Sequence, residues 1–179
     1  MKFVPWLLAV VLMSCGAGRD HDWIIDPVNP SDIPEVPSED IHPQFRIYIE
    51  DFMLDASLRG VELDLLPRLR VVQWSDDLNV ESNLPGHTTV GVCNTFTWAD
   101  DIVFLQIGIL DMYKERLNSF QLRALMYHEL GHCLLLKNHT EFDPHTIMSP
   151  ALNTSRYYQR CWDKLVDNFF LGTEFTEQD

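Results

Sequence analysis

The sequence predicts an α+β domain: a small, mixed, twisted sheet with helices packed on it. Three observations predict it. Residues 44–58 place Phe45, Ile49, Phe52, Met53 and Ala56 at helical spacing. Three apolar runs follow between residues 69 and 110, and each reads as a strand. Two further helical patterns then close the chain, one from Leu122 and one over 157–171.

The first strand is Leu69-Arg70-Val71-Val72-Gln73-Trp74, after a helix stop at Gly60. Ser75 to Gly86 is polar and turn-rich. Thr88–Phe96 and Ile102–Leu110 are the other two strands, and the five residues between them suit an antiparallel hairpin. Asn118 can cap the next helix, with Gln121 three residues on to answer it. In that helix Leu122, Leu125, Met126, Leu130 and Cys133 fall on one side. The closing helix sets Tyr158, Trp162, Leu165, Val166 and Phe169 on one face, and Gly172 ends it.

The chain has 179 residues, enough for one domain with short additions. Hydrophobic residues at 46% and charged residues at 22% exclude a multi-span membrane protein, a collagenous repeat and a wholly disordered chain. A net charge of −14 leaves no surplus of Lys and Arg to replace the counterions of a nucleic acid, so none is expected as a partner. Four cysteines are too few for a disulfide scaffold.

Residues 1–14 read as a secretory signal: Lys2, then an apolar run from Phe3 to Met13, too short to span a bilayer. Leu12-Met13-Ser14-Cys15 resembles the box of bacterial lipoprotein signals. That resemblance implies that Cys15 becomes the first mature residue and carries lipid, holding the protein at a membrane surface of the cell envelope without a spanning helix. Cleavage removes Lys2 and no acid, so the charge moves from −14 to −15. Gly16 is not the Asp that retains some lipoproteins at the inner membrane, which favours the outer one. Residues 15–41 read as an acidic, Pro-rich tether, with Trp23-Ile24-Ile25 able to pack back onto the domain at 42–179. With Cys15 assigned to lipid, Cys93, Cys133 and Cys161 remain: one pair can form and one thiol is left over.

The chemistry is concentrated in residues 118–150. His128 and His132 are four apart, one turn above each other on one helix face, a spacing that lets both imidazoles reach one zinc ion at about 2.0–2.1 Å. Glu129 points toward the apolar side, where a carboxylate is poorly placed as a solvated charge and well placed to take a proton from an activated water. His128-Glu129-Leu130-Gly131-His132 is the HExxH pattern of zinc peptidases. A catalytic zinc wants three protein ligands and one open position. His139 is the first choice for the third; Glu141, Asp143 and His145 are the alternatives.

The stretch from His128 to His139, with Thr146-Ile147-Met148-Ser149-Pro150 after it, resembles the metzincin group of zinc metallopeptidases. The resemblance implies a zincin-like fold with an active-site helix and a C-terminal helix, one Zn2+ held by His128, His132 and His139, and Glu129 as general base. It also implies a Met-turn at Met148 beneath the metal, and a polypeptide substrate paired with a sheet edge supplied by 88–96 or 102–110. Two departures stand out. The third His comes one residue later than usual, and Leu135 or Leu136 replaces the Gly that ends the helix. Asn138 is then the best residue to reverse the chain, because Asn tolerates the left-handed conformation. Some metzincins place a Tyr beyond the Met-turn as an oxyanion donor; Tyr157 and Tyr158 are the candidates here, with packing as their other role. These features make a membrane-anchored zinc endopeptidase the first functional expectation. A non-catalytic envelope lipoprotein, keeping the fold for binding or structure, is the alternative.

Overall fold

The computed structural model describes residues 40–78, 88–99, 101–140, 143 and 145–173. The signal, Cys15 and the tether up to residue 39 lie outside the described residues. The first helix, α1 (Pro43–Leu58), has Pro at its first position and His42 as cap, whose ring accepts the Gln44 N–H at 3.2 Å. It buries Phe45, Ile49, Phe52, Met53 and Ala56, the residues the spacing picked out. Gly60 then leaves the helix in the left-handed region, φ 67°.

The sheet has four strands: β1 (Asp40–Ile41), β2 (Leu69–Ser75), β3 (Gly91–Trp98) and β4 (Asp101–Leu110). Their spatial order is β1-β2-β4-β3. The first two pairings are parallel, and β3–β4 is the antiparallel hairpin expected from its short connection. Among the described residues β3 and β1 are the edges, so of the two segments expected to offer an edge, 102–110 is the interior strand and 88–96 supplies the edge. The two-residue β1 lies at the end of the stretch read as a tether, where Ile41 is buried against the core. So short a strand gives no periodic signal in the sequence.

Helices α2 (Ser119–Leu135) and α3 (Ser155–Leu171) complete the domain. Asn118 caps α2 as expected: its side chain accepts the N–H groups of Phe120 and Gln121, and its amide donates to Gln121 Oε1 at 2.8 Å. Unlike an amphipathic surface helix, α2 is buried over most of its circumference, with Ala124, Tyr127, His128, Glu129 and Leu134 enclosed beside the expected apolar face. Its neighbours lock it in place. The Tyr127 hydroxyl donates to Asp55 of α1 at 2.6 Å. Arg59 joins that carboxylate to Asp167 of α3. Phe52 packs edge-on against Tyr127 and Phe169.

Cys93 of β3 and Cys133 of α2 form a disulfide across 40 residues of chain, a closure that stabilises such a domain by about 2–4 kcal/mol. No described cysteine is free, so the left-over thiol expected from the odd count is not found among them.

The reversal after α2 falls at Leu136, φ 52° and ψ 31°, not at Asn138 as expected. The reason is geometric. The Lys137 N–H already bonds back to the Gly131 carbonyl at 3.0 Å, so the chain has turned before residue 138. A leucine in this region costs about 1–2 kcal/mol, and with 59% of its surface exposed Leu136 recovers little by burial. Leu136→Gly should therefore stabilise the metal-free protein by about 0.5–1 kcal/mol, after allowing for glycine's greater unfolded freedom. Urea unfolding measures it, and an unchanged or lower midpoint would show that the bend stores no strain.

Candidate metal centre

The left-handed bend at Leu136 returns the chain over the end of α2 and brings His139 against the two helical histidines. The three Nε2 atoms form a nearly equilateral triangle: 3.0 Å from His128 to His139, 3.1 Å from His128 to His132 and 3.1 Å from His132 to His139. Glu141, one alternative third ligand, lies outside the described residues. The other two alternatives are engaged elsewhere. Asp143 accepts the His145 N–H at 2.8 Å, and the His145 ring bonds the Tyr157 hydroxyl at 2.9 Å.

Proton positions decide what the triangle means. His128 Nδ1 lies 2.8 Å from the Ile147 carbonyl, and His132 Nδ1 lies 2.6 Å from the Lys137 carbonyl. A carbonyl only accepts, so both Nδ1 atoms carry the proton, which leaves each Nε2, facing the centre, as the atom able to offer a lone pair. Burial is the first cause holding the His128 pKa down, to about 4, with His132 and His139 adding to it and the Ile147 bond opposing it. Burial and the neighbouring His132 lower that of His139 too. A cation would satisfy all three nitrogens at once: at this spacing three imidazoles can each reach one ion at about 2.0–2.1 Å. The residues present thus fit a metal; the triad itself does not identify which.

Glu129 is only 3% exposed and lies against β3. A Cβ on Gly91 would stand 2.6 Å from its Oε1, so the strand passes directly against the carboxylate. Burial alone pushes its pKa up to about 8. A dication held by the neighbouring histidines would favour the charged form again.

The floor of the centre is the turn at Thr146–Ser149, closed by the Met148 N–H on the Thr146 hydroxyl at 3.1 Å. Met148 is buried there, and its sulfur lies 2.9 Å from where a Gly131 Cβ would be; the Phe169 ring stands equally close. Gly131, an unspecified letter in the sequence pattern, is therefore fixed by packing. The two tyrosines face elsewhere: Tyr158 is buried with its hydroxyl accepting the Asn153 N–H at 2.9 Å, and Tyr157 is paired with His145. Neither hydroxyl contacts the three histidines.

Sequence reasoning missed Gly91, the carbonyls of Ile147 and Lys137, and the pairing of Cys93 with Cys133. Only Gly91 left a trace, as a glycine opening a strand, which marks close approach of another group. Comparison of the chain with known protein families, with curated proteins and with solved structures gives no match.

Two outcomes follow from this packing. Gly131→Ala should lose stability by about 1–3 kcal/mol despite alanine's better helix propensity, because Met148 and Phe169 must both move; a melting temperature equal to the parent's would refute the tight floor. In metal-free protein, a Glu129 pKa raised from 4.5 to about 8 favours folding below pH 4.5 and loses that contribution as pH rises through 8. Metal-free Glu129→Gln should therefore melt above the parent at pH 8, with the gap closing toward pH 4.5. A gap that does not vary with pH would show that the carboxylate is not desolvated.

Proposed function

We propose that this chain is a zinc-dependent endopeptidase of metzincin type, held at the bacterial envelope by lipid on Cys15. The observation that carries the reading is the convergence of three Nε2 atoms within 3.0–3.1 Å, two of them on proton-fixed rings, with a buried carboxylate on the next residue of the same helix. Zinc bound there would supply a Lewis acid that makes a water acidic near neutral pH and polarises a substrate carbonyl. His128, His132 and His139 would hold it, and the carbonyls of Ile147 and Lys137 keep the first two rings in the ligating tautomer. Glu129 accepts the proton of the attacking water and passes it to the leaving amine. The edge β3 passes against Glu129, which supports an extended polypeptide pairing along that strand. Met148 and its turn support the ligands from below, as the Met-turn does in the metzincins the sequence resembles.

A general base speaks for catalysis over a purely structural site, since a metal that only holds the fold has no use for Glu129. The anchor is supported by the sequence of residues 1–15, and no described helix is long and apolar enough to cross a membrane.

Elemental analysis of purified protein should find one zinc per chain, lost in His139→Ala. Glu129→Gln should keep the zinc and lose about 10²–10⁴-fold in cleavage of a general protein substrate, and chelation should silence the parent. Equal activity in Glu129→Gln and parent, or cleavage that survives removal of the metal, would leave the non-catalytic reading in its place.

A further inference from the structure

The strand β3 and the helix α2 touch at two matched points. Gly91 lies against Glu129, and Cys93 is bonded to Cys133. Two residues along a strand cover about 6.6 Å and four along a helix about 6 Å, so the two spacings coincide. Strand residues 91 and 93 meet helix residues 129 and 133 rung by rung. One rung is a van der Waals approach to the proposed base; the other is covalent. Among the described residues β3 is an edge strand paired with β4 alone, and the disulfide is its one covalent tie to α2.

We infer that the Cys93–Cys133 disulfide is a positioning element for the proposed hydrolysis: it fixes the β3 edge, and any peptide lying on it, in register with the Glu129 carboxylate. The inference rests on the proposed reading of the site. Without the bond the strand can still pair with β4 and with a peptide, but it slides or lifts relative to α2. Binding persists while the carboxylate and the scissile group fall out of line. None of the three histidines lies on β3, and His132, next to Cys133 on α2, is held by its own bond to the Lys137 carbonyl, so the metal ligands stay in place. Activity therefore depends on an oxidised environment. A dithiol reductant delivers two electrons and two protons to the sulfur–sulfur bond, leaving thiols on Cys93 and Cys133 and itself becoming a disulfide, and it switches the enzyme off without removing zinc.

The test compares full-length zinc-loaded parent, parent reduced with dithiothreitol, Cys93→Ala/Cys133→Ala, and Gly91→Ala, all well below their melting temperatures. On an extended peptide the reduced parent and the double variant should lose about 10²-fold in kcat, as misplacement of a reacting group by about 1 Å does. KM should stay within about twofold and zinc content should not change. Cys161 is also disulfide-bonded, so the double variant's response to the reductant measures that second bond, and the parent should lose kcat well beyond it. Gly91→Ala, with its disulfide intact, should lose kcat by displacing the carboxylate directly, and an unchanged kcat overturns the importance of the β3–Glu129 register; if the double variant folds poorly, the reduced parent carries the comparison. A purely structural staple would lower the melting temperature and leave kcat alone, and that result overturns the inference. Hydrogen exchange supplies a readout independent of activity: reduction should speed exchange over residues 91–97 by at least about tenfold. Unchanged exchange after verified reduction overturns the inference as well. A parent that is inactive in every assay sinks the hydrolase reading, and the exchange result then still decides whether the bond holds the strand to α2.

Discussion

Three imidazoles converge their Nε2 atoms on one point, an arrangement that a cation would satisfy. The surrounding structure is arranged to hold it. Helix α2 fixes two rings by spacing alone, one turn apart. The carbonyls of Ile147 and Lys137 then hold the protons on the far side of each ring, so the lone pairs cannot turn away. Both carbonyls come from segments that also pack on α2: the turn carrying Met148 against Gly131, and the bend at Leu136 through the Lys137 N–H. Each also meets the demand of a single imidazole N–H.

That demand also accounts for the unusual leucine. The chain has to reverse within two residues of the helix end for the Lys137 carbonyl to meet His132, which is too soon for Asn138 to serve. Leu136 takes the left-handed conformation because of its position, not its propensity. The same economy explains α2's burial on nearly all sides. A helix carrying His128 and Glu129 in its middle must be held by α1, α3 and β3 at once, and the Tyr127–Asp55–Arg59–Asp167 chain of polar contacts does part of this.

Much of this was legible in the sequence where the signal is periodic. The buried face of α1, the caps of α2 and α3, the β3–β4 hairpin and the His128–His132 pair all follow from spacing. What escaped is what spacing cannot encode. The order of strands, and hence which one is an edge, depends on a crossover that leaves no local mark. The two-residue β1 is too short for alternation to show. The Cys93–Cys133 pairing needs β3 and α2 in three dimensions first. His139 was reachable because the candidates after the helix were few; the residue that delivers it was misplaced by two positions, because propensity yielded to a hydrogen bond made elsewhere.

Gly131 has its own consequence. The helix can approach its floor at that point only because no side chain intervenes, and half of the floor is the ring of Phe169, near the end of α3. His128, His132 and His139 are synthesised 30 or more residues before Phe169, part of the surface on which their helix rests. During synthesis the centre therefore stays unfinished until nearly the whole chain has emerged.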